Sequence, residues 1–237
     1  MEDRHMAFAQ PRTLDKITIN AFVRSVYNWM AVGLTLTAVV AFMTASSPAA
    51  LKFIFGNKMV FFGLIIAELG MVLYFSARIY KMDAGTATGV FLGYSALNGL
   101  TLSAILIVYT GSSIFSTFLV CAGTFAAVSV YGYTTKKDLT SMGSFMMMGL
   151  FGIIIASVVN IFLKSSAMEM AISYIGVFVF VGLTAYDTQK IKNMAQSQPM
   201  DAGAGVMRKA ALFGALTLYL DFINLFLMLL RIMGDRR

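Results

Sequence analysis

Apolar residues fall along this chain in seven long runs separated by short polar stretches, without the strict alternation of half-buried strands. The runs cover approximately residues 27–44, 59–77, 85–109, 114–133, 145–163, 168–186 and 212–232. About 20 apolar residues carry a helix across a bilayer, so each run predicts one membrane span. The pattern predicts an all-α membrane protein, a bundle of seven transmembrane helices over residues 27–232. A polar tail, 1–26, precedes it and a short tail, 233–237, follows. From Thr13 onward the N-terminal tail has the spacing of a short amphipathic helix, with Leu14, Ile17, Phe22 and Val26 on one side. Most connections are short, which predicts antiparallel neighbours. The longest, 188–211, carries Pro199, Gly203 and Gly205 and predicts a flexible loop.

Composition sharpens this picture. Hydrophobic residues make up 59% of the chain and charged residues 12%, against about 25% charged in ordinary soluble domains. The net charge of +7 comes from Lys and Arg at the ends of the apolar runs, which points to lipid headgroups and not to nucleic acid. Twelve of the 18 basic residues lie on the N-terminal side of the alternating spans. The positive-inside rule therefore predicts a cytoplasmic N-terminus and a C-terminus outside. The single Cys121 excludes an intrachain disulfide. The single histidine, His5, lies in the polar tail, which excludes a buried histidine base or a zinc cluster.

Small residues recur at four-residue spacing as Gly85, Gly89 and Gly93, and again as Gly152, Ala156 and Asn160. Both stripes predict close helix–helix contact. Met146, Met147 and Met148 predict gap-filling packing in place of a metal or ligand box.

Three acidic residues fall within or at the end of apolar runs: Glu68, Asp187 and Asp221. An ionisable group in such a segment is costly, and by default marks a functional site. Asp221 has Thr217 and Asn224 one turn to either side, a polar stripe on an otherwise lipid-like helix. Asp187 has Thr184 and Lys190 in the same relation. Two carboxylates within reach in a low dielectric cannot easily both stay charged, so they would share a proton. The same oxygens suit a hard cation such as calcium. Depth opposes the meeting: Asp187 ends its run, whereas Asp221 lies near the middle of its own. Arg78, ending the second run, is at a depth to pair with Asp187, and also has the place of an arginine snorkelling to the headgroups.

Residues 182–192 read Gly-Leu-Thr-Ala-Tyr-Asp-Thr-Gln-Lys-Ile-Lys, and residues 216–231 read Leu-Thr-Leu-Tyr-Leu-Asp-Phe-Ile-Asn-Leu-Phe-Leu-Met-Leu-Leu-Arg. Residues 131–139 read Tyr-Gly-Tyr-Thr-Thr-Lys-Lys-Asp-Leu. In these blocks the chain resembles the Bax inhibitor-1 family, in particular its bacterial inner-membrane members. The resemblance implies a seven-helix bundle whose last helix is central. It also implies a pH-sensitive calcium leak with Asp187 and Asp221 as proton sensor and gate. Arg78 would be the latch on one aspartate and Glu68 part of the ion pathway. No cofactor is required beyond calcium and protons as the ions handled.

Two other functions use the same residues. Paired aspartates, one in Tyr186-Asp187, also occur in intramembrane aspartyl proteases, but the second aspartate here lies in Leu218-Tyr-Leu-Asp221. It lacks the Gly-x-Gly-Asp of those enzymes, and no Pro-Ala-Leu motif follows. A non-enzymatic role is therefore expected. The alternative is a regulatory or stress-survival protein that modulates a partner such as a membrane protease, with the aspartates only structural.

Overall fold

The structure, a computed structural model, describes residues 16–197 and 203–237. His5, Leu14 and Pro199 lie outside the described residues. Eight helices follow in order: α1 (Lys16–Ala45), α2 (Pro48–Phe55), α3 (Lys58–Arg78), α4 (Ala84–Val108), α5 (Gly111–Thr134), α6 (Thr140–Leu163), α7 (Ser166–Ser197) and α8 (Ala204–Met233). A 3-10 turn, Ile79–Lys81, follows α3. All but α2 are long and apolar enough to cross a membrane, so the seven-span prediction holds. Among the described residues there is no strand, only an isolated bridge between Tyr109 and Arg236.

Three boundaries differ from the prediction. Residues 16–26 are the opening turns of α1 and not a separate amphipathic helix, with Ile19, Phe22 and Val26 buried in the core. The segment 188–211 is mostly helical, because α7 runs on to Ser197 and α8 begins at Ala204. Beyond Asp187 the pattern turns amphipathic: Ile191 and Ala195 are buried while Lys190 and Asn193 are exposed. A count of consecutive apolar residues ends there, but the helix does not. Helix α2 was missed, although its start signal is in the sequence. Ser47 accepts a hydrogen bond from the Ala50 amide, and Pro48 occupies the first turn.

The last span is central. Helix α8 packs against α1, α4, α5 and α7. It buries 67% of its most apolar window, against 6% for α3 and 11% for α6. Those two peripheral helices turn large side chains outward at helical spacing: Met59, Phe62, Ile66, Leu69 and Leu73 on α3, and Phe151, Ile155 and Phe162 on α6. Such a face suits lipid chains. The residues after α8 are pinned as well. The Thr110 amide donates to the Asp235 carbonyl at 3.1 Å and the Arg237 amide to the Val108 carbonyl at 2.9 Å, which ties the end of the chain to the α4–α5 turn.

Glycines set the closest helix approaches, but at other positions than the two predicted stripes. A Cβ on Gly89, Gly93 or Gly152 would meet nothing within 4 Å, and one on Gly85 only the Asp83 carboxylate. The close contacts are Gly182, where a Cβ would lie 2.6 Å from Met146, Gly176 at 2.9 Å from Met228, and Gly99 at 2.7 Å from the Thr37 carbonyl. Gly132 lies against the Ala185 backbone, and Gly143 against the Tyr186 ring. Spacing alone cannot tell a glycine that faces a neighbour from one that faces lipid. Met146 does fill a gap at Gly182, while Met147 and Met148 face outward.

Gly143→Leu and Gly182→Leu are expected to lower stability by about 1–3 kcal/mol or more through overpacking. Gly89→Leu and Gly152→Leu should change it by no more than about 0.5 kcal/mol. Thermal unfolding of the four variants in one detergent checks this.

Candidate functional site

The two signature blocks lie side by side. Helices α7 and α8 run antiparallel, with Gly214 beside Ile191 at one end of the contact and Met228 beside Gly176 at the other. Asp187 and Asp221 fall between these points. Each is buried, with 6% and 5% of its surface exposed. Their carboxyl groups face one another within reach of a shared proton. The depth difficulty disappears because α7 continues past Asp187 and α8 starts well before Leu212, so both aspartates lie inside long packed helices. Asp221 Oδ2 is fully enclosed and has no hydrogen-bond partner among the described residues. A carboxyl oxygen left so is expensive in an apolar interior, and such an expense is kept where it serves a function.

The rest of the first block builds the frame around this pair. Thr184 returns its hydroxyl to the Phe180 carbonyl at 2.7 Å. Thr188 lies 3.4 Å from the Tyr27 hydroxyl of α1. Gln189 donates to the Lys137 carbonyl at 2.8 Å and accepts from the Leu139 amide at 2.9 Å, clasping the α5–α6 turn. Lys192 donates to the Tyr133 carbonyl at the end of α5 at 2.7 Å, with its ammonium 5.2 Å from the centre of that ring. A matching contact holds the other side: Lys209 of α8 donates to the carbonyls of Tyr80 and Met82 at 3.1 and 3.0 Å. Asp187 thus sits on a helix anchored at the next two turns. Of these residues, Thr184 is legible in the sequence as part of the polar strip beside Asp187. Gln189 and Lys192 were visible in the motif, but only carboxylates had been weighed for cost.

The other expected site residues are placed as follows. Thr217 and Asn224 are half-buried on α8, and each bonds the carbonyl four residues back, Phe213 at 3.1 Å and Leu220 at 2.8 Å. Neither bonds Asp221. Arg78 is exposed at the end of α3 and forms no ion pair with either aspartate. Lys190, one turn along α7 from Asp187, is exposed. Glu68 is half-buried on α3 and accepts a 2.7 Å hydrogen bond from Thr101 of α4. Tyr219, two residues before Asp221, shares a 2.7 Å hydrogen bond with Thr37 of α1 and packs its ring edge-on to Tyr94 at 5.8 Å. Asn98 completes this second polar level, with its Nδ2 3.4 Å from the Tyr94 hydroxyl and its Oδ1 buried without a partner. Tyr94, Asn98 and Thr101 follow helical spacing on α4 and were legible as a stripe. They went unremarked because none carries a charge.

No group of three or more His, Cys, Asp and Glu gathers among the described residues. The aspartate pair offers up to four carboxylate oxygens, short of the six to eight that a calcium storage site uses.

An all-α bundle with its last span central and a buried carboxyl pair on the two final helices is the class of protein defined so far. Comparison with known families narrows it. Residues 19–237 match the family described as inhibitor of apoptosis-promoting Bax1. The chain is 54% identical over 234 residues to the inner membrane protein YbhL of Escherichia coli K12, covering 99% of this chain and 98% of that one. It is 48% identical over 218 residues to a Borreliella burgdorferi protein, covering 92% and 93%, and 48% identical over 221 residues to RP147 of Rickettsia prowazekii, covering 92% and 91%. The chain belongs to the Bax inhibitor-1 family and is a multi-pass membrane protein.

Gln189→Leu keeps the volume of the clasp but strands a backbone carbonyl and an amide, and should lower stability by about 1–3 kcal/mol. Hydrogen exchange at the Leu139 amide should rise with it. An unchanged exchange rate would show that the clasp does not hold the turn.

Proposed function

We propose that this protein is a pH-sensitive cation leak of the bacterial inner membrane, with calcium as the permeant ion and proton sharing between Asp187 and Asp221 as the gate. The observation that carries this reading is the enclosed meeting of the two carboxyls, one oxygen of which has no partner. With one proton between them, the pair holds a single negative charge. Loss of that proton puts two charges in a low dielectric, which repel and demand a counter-charge. A cation or a basic side chain then stabilises a different packing of α7 on α8, and the two packings form the equilibrium that pH biases. Too few oxygens for a storage site suit an ion that passes and does not stay. Glu68, with the Tyr94 and Asn98 level beside it, extends a polar route toward the other side. Arg78, unpaired here, would latch Asp187 in the alternative packing. The N-terminus is assigned to the cytoplasm on the distribution of Lys and Arg.

A regulatory role remains the second reading, and one observation favours it. The Gly85, Gly89 and Gly93 face of α4 is open, and α3 is barely buried, which leaves room for a partner helix such as one from a membrane protease. Asp221→Asn separates the two readings, because it keeps the shape and removes the titration.

Two exposed carboxylates outside the spans, Asp83 and Asp138, titrate below the range in which the pair would share its proton. Hydrogen bonds from the Thr86 hydroxyl and amide hold Asp83 below its ordinary 3.8, and those from Thr140 do the same for Asp138. A lowered folded value gives stability that is present above the unfolded value and lost as pH falls through the folded one. Both changes lie below about pH 4. Calcium flux into vesicles should therefore vary between about pH 5.5 and 8 in the wild type, the range a shared proton can occupy. The variation should vanish in Asp187→Asn and Asp221→Asn. Absence of flux above empty vesicles at every pH, with folded protein, would remove the leak reading and leave the regulatory one.

A further inference from the structure

A cavity of about 390 Å³ lies between α1, α4 and α5, floored by α8. It exists because α5 leans on α7 and α8 with little contact to α1 or α4, and because α1 turns two small residues, Ala38 and Ala41, toward the gap. The lining is almost wholly apolar. Its one polar side chain is Thr37, whose hydroxyl is already engaged by the carbonyls of Gly33 and Ser95 and by the Tyr219 hydroxyl. Water needs two to four polar partners, so it does not fill such a space. Protein cavities of about 150 Å³ with apolar walls already take up benzene, and this one is larger. A transmembrane helix, roughly 10–12 Å across with its side chains, is too wide for it.

The mouth decides the occupant. Phe42 and Phe115 flank it, 67% and 64% exposed, on spans whose outer faces meet lipid. The cleft is thus continuous with the outward-facing apolar surface of these spans. We propose that an acyl chain of a membrane lipid occupies this cleft and packs on Phe222 and Phe226 of α8, the first of them adjoining Asp221. The leaflet is the one on the side away from the start of α1, since the lining comes from the end of α1, the end of α4 and the beginning of α5. The lipid chain is then a packing partner of the central helix, in the place where a side chain of α1 or α5 would stand.

The test reads fluorescence, so it succeeds or fails separately from the leak. Trp29 is the only tryptophan and is replaced by Phe. Into that background go Phe226→Trp on the cleft floor, Phe115→Trp at the mouth and Phe91→Trp in the enclosed core. Each is reconstituted in phosphatidylcholine vesicles with plain or mid-chain brominated acyl chains. The floor reporter is expected to lose emission in brominated lipid to the same extent as the mouth reporter, while the core reporter keeps its own. Adding Ala38→Phe should restore emission at the floor and leave the mouth unchanged. If the floor reporter behaves like the core reporter, no chain enters and the proposal falls. Should Phe226→Trp fail to fold, Ile223→Trp on the same floor gives the same reading.

Discussion

Burying a pair of carboxyl groups among apolar helices is the constraint from which the architecture follows. Neither aspartate is tolerable against lipid, so the helices that carry them must face inward and face each other. Helix α8 meets that demand by taking the centre, enclosed by α1, α4, α5 and α7. Helix α7 meets it by lying antiparallel along α8, with glycines at Gly176 and Gly214 letting the backbones approach. The peripheral helices α3 and α6 complete a wall whose outer side is nearly all hydrocarbon. The cost of the buried pair is met in part by each carboxyl facing the other, while Oδ2 of Asp221 has no other partner among the described residues.

Rigidity around the pair comes from neutral and basic side chains bonded to backbone ends. Gln189, Lys192 and Lys209 each hold the carbonyls at a helix terminus or turn, where orphan acceptors are available. These contacts lie on one side of the membrane and lock α5, α6, α7 and the turn after α3 together. The opposite half is looser: there α5 stands away from α1 and α4, and the bundle keeps a hydrocarbon-lined gap. The frame is thus fixed by hydrogen bonds at one end and loosely packed at the other.

Much of this was legible in the sequence. Seven spans, the two aspartates and Glu68 followed from hydropathy and the cost of charge, while the central place of the last helix and the family came with the signature blocks. What escaped has physical reasons. The helical extension from Thr188 to Ser197 is amphipathic, and a span finder tuned to lipid stops where one face becomes wet. The glycine stripe at Gly85, Gly89 and Gly93 obeys the spacing of a contact face yet faces outward, because direction depends on neighbours that spacing does not encode. The pairing of Arg78 with Asp187 was suggested by equal depth and by the resemblance, and in this packing Arg78 is exposed at the end of α3. The second polar level around Tyr94 and Asn98 carries no charge, and so gave no energetic alarm.

The central place of α8 also has a meaning in time. Chains emerge from synthesis N-terminal end first. The four spans that pack on α8 therefore precede it in synthesis. Until α8 arrives, α1, α4, α5 and α7 have no common neighbour, and Asp187 has no companion. Beyond α8, Asp235 and Arg237 bind its end to the α4–α5 turn. The order of synthesis thus leaves Asp187 without its companion carboxyl until α8 has joined the bundle.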